Sequence, residues 1–328
     1  MVEVPDISLA DIEETRRGLG DLVIETPVHR WRGEEIAAAV GADTEVHLKL
    51  ELFQYTGTFK PRGAFNVMRH LPDEALRRGV TAISAGNHAI AVAYCAQQRG
   101  VRAKVVMVKT ANPFRVAKAR GYGAEVILAE DAKLGFEMVH RFEAEEGLTF
   151  IHPFEGIHTS LGTATVGLEL ARQVPDLDAA IVPIGGGGLA SGFATALKLA
   201  QPNCAVYGVE PEGAPTLTRA LATGAPVTLD GMSTIADSLA APFTGETTFA
   251  LCQAHLDEVV LIDDAALRRA QALAFREMKL ALEPAGAAAT AALAGPLKDR
   301  LRGKRVGVLV CGTNIDVATF ATQVAEAG

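Results

Sequence analysis

The chain is short of cysteine, of positive charge and of long apolar runs, and each shortage excludes a class of function. Its 328 residues include four cysteines, Cys95, Cys204, Cys252 and Cys311, scattered without a CxxC pair or a zinc-type spacing. That pattern argues against a disulfide scaffold or a cysteine-bound metal and predicts free buried thiols in a reducing compartment. Acidic residues outnumber basic ones, for a formal charge of −8, so neither nucleic acid nor an anionic membrane is an electrostatic partner. No apolar run reaches the length of a membrane span. The start, from Met1 to Asp6, is acidic and lacks the basic-then-apolar order of a secretory leader. A cytoplasmic location is expected. Repeats and low-complexity linkers are absent too.

What is present is a globular composition, 49% apolar and 21% charged, with room for one or two domains. Strands are predicted at Val46–Leu50, Thr81–Ile83, Lys104–Val108, Glu125–Leu128, Thr149–Ile151, Ala179–Ile184, Ala205–Val209, Glu258–Ile262 and Arg305–Val310. Helical segments such as Asn87–Arg99, Arg115–Ala119 and Leu134–Glu146 lie between them, and Ser8 followed by Asp11 reads as a helix start. Strands rich in Val and Ile without polar alternation, separated by helices, predict an α/β fold with mainly parallel sheets buried on both faces. So many strands crowd one open sheet, which predicts two sheet-building regions. Turn residues at 71–73 and 153–156 mark the boundaries.

Ligands of such sheets bind where strands end and loops begin, and four such segments stand out. In the first, Lys60 precedes Pro61, which is expected to be the first helical residue while Lys60 stays outside the α region. The positive field of a helix mouth and the apolar neighbours Phe59, Ala64 and Phe65 would depress the amine's pKa, as imine chemistry requires. The same residues also fit a surface lysine that opens an amphipathic helix. In the second, Ser84, Ala85, Gly86, Asn87 and His88 join a strand to a helix, which suits an anion or an ordinary helix cap. In the third, Gly185, Gly186, Gly187, Gly188 and Leu189 follow a strand, and so glycine-rich a turn lets backbone N–H groups wrap a phosphate. Gly185, Gly187 and Ala190, with Glu210 at the end of the next strand, also fit a relaxed dinucleotide fingerprint. In the fourth, Cys311 ends a strand before a glycine turn, and Glu283 directly precedes a proline-initiated helix. A buried structural thiol and a helix N-terminal acid account for those two equally.

In this order, the four segments resemble the pyridoxal-phosphate enzymes of fold type II, the tryptophan-synthase-β-like group, and within it the serine/threonine dehydratase and serine racemase family. The resemblance runs from about Thr26 to Asp316. It implies two three-layer α/β domains with mainly parallel sheets: residues 1–72 and 154–328 as a large cofactor-binding domain and 73–153 as a small substrate-loop domain. It implies that Lys60 carries the cofactor as a Schiff base, that Phe59 packs on its ring, and that Asn87 contacts the ring oxygen. Gly185, Gly186, Gly187, Gly188 and Leu189 would hold the phosphate, Cys311 would face the ring nitrogen, and Glu283 would sit beside the cofactor. Ser84, Ala85, Gly86, Asn87 and His88 would grip the substrate carboxylate. Glu210, Ala214 and Thr216 align with the family's cation site, where Thr216 replaces the aspartate of divalent versions, which implies a monovalent ion or none.

The departures bear on activity. Racemases of the family carry a second serine where this chain has Ala85, so here only Lys60 is placed to move the α-proton. The usual Gly-Gln-Gly-Thr becomes Gly162, Thr163, Ala164 and Thr165, expected to alter a loop near the substrate side chain, and the usual Ala-Asp-Gly becomes Ala236, Asp237 and Ser238. The implied activity is dehydration of a β-hydroxy amino acid, by default L-threonine or L-serine, to a 2-oxo acid and ammonia. 3-Hydroxyaspartate or a bulkier 3-hydroxy amino acid is the alternative, and an amino-acid racemase or a dinucleotide oxidoreductase the more distant ones. Relatives are commonly homodimers, which implies the same assembly here.

Overall fold

The computed structural model describes residues 4–327. Residues 1–3, which belong to the stretch read as lacking a secretory leader, and residue 328 lie outside the described residues. The capping box expected at Ser8 is formed: the Ser8 hydroxyl accepts from the Asp11 N–H and the Asp11 carboxylate accepts from the Ser8 N–H.

Among the described residues ten strands form two sheets. They are β1 (Val28–Trp31), β2 (Glu45–Leu50), β3 (Val80–Ile83), β4 (Ala103–Val108), β5 (Glu125–Ala129), β6 (Thr149–Phe150), β7 (Ala179–Pro183), β8 (Ala205–Pro211), β9 (Glu258–Ile262) and β10 (Arg305–Val310). The larger sheet runs β1-β2-β10-β7-β8-β9 and the smaller β5-β4-β3-β6. All pairings are parallel except that of β1 with β2. Nine strands match the expected ones to within two residues at each end. β1 was not expected, because His29 and Arg30 are exposed on this four-residue edge strand and it carries no apolar run.

Layering follows from the strand period. In β4, Val105 and Met107 pack in one core with Ile90 and Ala93 of helix Asn87–Arg99, while Val106 joins Val139 and Phe142 of helix Ala132–Glu146 on the other face. The larger sheet is covered by helix Pro284–Ala294, which is alanine-rich and almost wholly buried, and by helices Gly188–Ala200 and Ile157–Gln173. A helix apolar all round is one that has neighbours all round. The smaller sheet's core also takes in Leu19, Val23, Ala64, Phe65 and Met68, from the chain ahead of residue 72.

Helix Lys60–Arg69 crosses helix Ile157–Gln173 closely. A Cβ added at Gly162 would run into the Arg62 carbonyl, so glycine is what permits the approach. Beside the crossing, Arg62 is fully buried between two carboxylates, with Nε 2.9 Å from Glu51 Oε2 and Nη1 2.8 Å from Glu169 Oε1. Lys49 Nζ donates to the same Glu169 at 2.7 Å and to the Thr26 carbonyl at 2.7 Å. Burial opposes the charge on Arg62, but Glu51 and Glu169 outweigh it and raise its pKa.

Candidate active site

Lys60 stands at the start of its helix, but not as the pre-proline rule suggested. The helix runs Lys60–Arg69, so Lys60 is its first residue and Pro61 the second, and Phe59 ahead of it is already in the right-handed region at φ −61°, ψ −17°. The tight turn is closed by the Arg62 N–H donating to the Phe59 carbonyl at 3.0 Å. The buried Arg62 cluster fixes this end of the helix, and tertiary packing overrides the local preference of a residue before proline. Lys60 is half-buried, and its Nζ donates to the Pro153 carbonyl at 2.6 Å. The amine lies 5.3 Å from the centroid of the Phe59 ring. Burial pushes its pKa down to about 8, against the pull of Cys311 and Glu283.

The loop after β3 leads into helix Asn87–Arg99 through Gly86. The Ser84 hydroxyl accepts from the Gly86 N–H at 3.0 Å. Asn87 Nδ2 donates to Glu283 Oε1 at 2.7 Å and to Ser238 Oγ at 3.1 Å, and its Oδ1 accepts from Asn314 Nδ2 at 2.8 Å. His88 pairs through Nε2 with the Ile151 carbonyl at 2.8 Å, and burial holds its imidazole neutral, at about 3, with Lys60 adding to the effect. Glu283 is fully buried; burial pushes its carboxyl up to about 7, although Arg115 opposes this from 3.0 Å. Arg115 also meets Asp237 at 2.5 Å and donates from Nε to the Asn314 carbonyl at 2.8 Å.

At the glycine turn, strand β7 ends at Pro183 and helix Gly188–Ala200 begins after Gly187, whose φ of 92° suits glycine. A Cβ at Gly186 would strike the Phe154 ring, and one at Gly188 the Phe154 backbone. Among the described residues no protein acceptor meets the N–H groups of Gly185, Gly186 and Gly187, and Leu189 lies in the first helical turn, whose N–H groups have no partner within the helix. Cys311 follows β10; its thiol donates to the Ala285 carbonyl at 3.3 Å, and burial raises its pKa, so it is neutral. A short antiparallel bridge joins Thr58 to Gly312, tying the Lys60 segment to the end of β10.

Two further expectations change. Gly162, Thr163, Ala164 and Thr165 are not a loop: they lie inside helix Ile157–Gln173, where Thr163 Oγ1 donates to the Gly188 carbonyl at 2.7 Å and Thr165 Oγ1 to the Gly162 carbonyl at 2.6 Å. Such back-bonding lets buried threonines sit in a helix. Glu210 is fully buried, and its carboxylate accepts from the N–H groups of Leu217 at 2.7 Å and Thr218 at 2.8 Å, capping helix Thr216–Thr223. It is therefore not free to bind a ribose as the dinucleotide reading required. Burial raises its carboxyl to about 7. Ala214 accepts from the Thr216 N–H at 3.0 Å, and the Thr216 hydroxyl donates to the Ala241 carbonyl at 2.6 Å.

A lysine, a glycine turn with unpaired N–H groups and a neutral thiol thus meet where strands of both sheets end. The family described as pyridoxal-phosphate dependent enzyme matches residues 20–312. The chain belongs to this family. It is 56% identical over 278 residues to a phenylserine dehydratase of Ralstonia pickettii, covering 85% of each chain. It is 37% identical over 312 residues to an L-threonine ammonia-lyase of Thermotoga maritima, covering 95% of this chain and 76% of that one. The structure of maize serine racemase superposes with a TM-score of 0.89 at 34% identity, covering 97% of this chain and 98% of that one.

The residues present fit pyridoxal phosphate. Glycines that no side chain could replace leave N–H groups for a phosphate, and an amine of lowered pKa stands ready for an aldehyde. Arg115, Asn314 and Pro153 were not singled out as site residues in the sequence. Arg115 lies two residues past Pro113, at the start of helix Pro113–Gly121 that follows β4, and Asn314 lies in the junction after β10. Position at a strand-to-helix junction was their one available signal.

Proposed function

We propose that the protein is a pyridoxal-phosphate-dependent ammonia-lyase that dehydrates a β-hydroxy amino acid to a 2-oxo acid and ammonia, with a 3-aryl substrate of the phenylserine type ahead of L-threonine and L-serine. Lys60 carries this reading: it is an amine of lowered pKa in a cavity that it shares with His88, His152 and Gly188. The 56% identity to a phenylserine dehydratase supports the aryl preference. In this reading Lys60 anchors the cofactor and Phe59 backs its ring. Gly185, Gly186, Gly187, Gly188 and Leu189 cradle its phosphate, while Asn87, Glu283 and Cys311 surround its ring. When bound, the cofactor supplies an electron sink at the α-carbon. Ser84, Ala85, Gly86, Asn87 and His88 hold the substrate carboxylate against the helix mouth. Lys60, released as a neutral amine, takes the α-proton. The β-hydroxyl departs with a proton as water, and the resulting enamine hydrolyses to the oxo acid and ammonia.

Cys311 offers the ring nitrogen a neutral thiol, which favours elimination over reactions that need a protonated ring. With Ala85 where racemases of the family carry a serine, the hydroxyl that would return a proton from the face opposite Lys60 is missing, so racemisation is minor. Any cation at Glu210, Ala214 and Thr216 would share the Glu210 carboxylate with the helix it caps. The division into residues 1–72 with 154–328 and 73–153, a homodimeric assembly and a cytoplasmic location belong to the same reading. The test is oxo-acid release by the yellow holoenzyme from threo-3-phenylserine, L-threonine, L-serine and 3-hydroxyaspartate. Silence with all four, cofactor bound, would defeat the lyase reading.

A further inference from the structure

Aromatic residues make up only 5% of the chain, yet four of its thirteen phenylalanines form one cluster with His152, three of them directly around its ring. His152 lies with its ring centroid 4.6 Å from Phe154, 5.4 Å from Phe150 and 6.2 Å from Phe243. Phe243 is 5.3 Å from Phe154 and 6.3 Å from Phe136, and Phe136 is 6.2 Å from Phe150. The contacts are edge-on or tilted, the arrangement aromatic rings favour. Phe65, Phe193 and Phe249 are fully buried in the cores, but Phe136, Phe150, His152 and Phe243 keep part of their surface open.

The cluster adjoins the reactive amine. His152 lines the Lys60 cavity, and the next residue, Pro153, supplies the carbonyl that holds Lys60 Nζ. Phe154 packs on Gly186, while Thr244, next to Phe243, donates from Oγ1 to the Gly186 carbonyl at 3.0 Å. Phe243 is held in turn by an antiparallel bridge to Thr228. The rings therefore flank the glycine turn and the lysine, and they come from helix Ala132–Glu146, from the end of β6 and the segment after it, and from the loop ahead of helix Glu246–His255. Two carboxylates lie beside them: Glu143 accepts from the Phe150 N–H at 3.3 Å and pairs with His140 at 2.9 Å, and Glu155 accepts from the Thr247 N–H at 2.8 Å, while the Lys60 amine borders His152 across the cavity.

We propose that Phe243 and Phe136, with Phe150, His152 and Phe154, form the receptor for an aryl group on the substrate's β-carbon. This rests on the lyase reading above and names the residues that set its specificity. An aryl ring entering the cluster replaces water on open aromatic edges, whereas a β-carboxylate would be set among apolar rings with Glu143 and Glu155 beside it. Phe243 is the specificity-determining residue, because it alone touches Phe136, His152 and Phe154 together.

The experiment measures kcat and KM of the holoenzyme for threo-3-phenylserine and L-threonine in the wild type, Phe243→Ala, Phe136→Ala, Phe243→Leu and Phe243→Tyr. The ratio of kcat/KM, phenylserine over threonine, is expected to fall about 10-fold in Phe243→Ala, mainly through KM, and to recover in Phe243→Tyr. Phe243→Leu keeps most of the volume, so it reports on aromatic contact even if the alanine variant fails to retain the yellow cofactor. If the wild type dehydrates phenylserine but the ratio stays within about twofold in Phe136→Ala and in either the alanine or the leucine variant at 243, the receptor is overturned and the lyase reading survives. If the yellow wild type releases no oxo acid from any β-hydroxy amino acid, the lyase reading fails and the receptor with it.

Discussion

An ammonium whose pKa is brought down to about 8 by burial is protonated below that pH and a free amine above it. Only the free amine attacks an aldehyde. Stopped-flow capture of pyridoxal phosphate by the apoprotein should therefore accelerate as pH rises from 7 to 9, with its midpoint near 8. A midpoint above 10 would mean that the burial seen here does not govern the amine. Lys60→Ala should lose turnover by several orders of magnitude and release its cofactor on dialysis; retention of full activity would refute its role. Ala85→Ser should restore a hydroxyl at the position where racemases of the family carry one. The expected gain is D-serine formation from L-serine, read by chiral chromatography, and its absence would show that the loop does not present residue 85 to the substrate. These residues were legible because each sits where a strand ends. The engaged states of Asn87 and Glu283 were not, since their partners Arg115 and Asn314 lie far away in sequence.

At the level of elements, helix Lys60–Arg69 is held by a charge that the sequence conceals. Arg62 lies in the first turn of this helix and is buried between Glu51 and Glu169. Nothing local in the sequence marks it, because its partners come from residues 11 and 107 positions away. Arg62→Met would leave two carboxylates buried with only Lys49, Arg16 and Thr26 to serve them, and the expected loss is about 3–5 kcal/mol in urea unfolding. A loss below about 1 kcal/mol, the size of a surface pair, would show that the cluster is solvated. Helix Ile157–Gln173 teaches the same lesson. The family resemblance led to a loop at its Gly162-to-Thr165 segment, but glycine there permits the crossing with Arg62, and the threonines bond back to the backbone. At the glycine turn, Gly186→Ala forces a Cβ into Phe154. Weaker cofactor retention at unchanged secondary structure, followed by absorbance and circular dichroism, is the expected outcome.

For the whole molecule, the parallel sheets and their approximate strand ends could be read from Val- and Ile-rich runs spaced by helices, since parallel strands carry their signal in continuous hydrophobicity. Which strands share a sheet could not. The order β1-β2-β10-β7-β8-β9 joins residues near both ends of the chain, a choice set by tertiary packing. A ligand bound only by the folded state stabilises it by about 2.7 kcal/mol at a hundred times its dissociation constant. Pyridoxal phosphate should therefore raise the midpoint of thermal unfolding of the apoprotein, and this shift should vanish in Lys60→Ala at equal ligand. β2 pairs along its whole length with β10, and the strand that delivers Cys311 is laid down some 250 residues after the one that leads to Lys60. A nascent chain still missing that last strand has an open gap in the middle of its sheet, and it cannot yet present the lysine correctly. Loading with vitamin B6 must then wait until β10 has taken its place between β2 and β7, which ties vitamin uptake to a late step of folding.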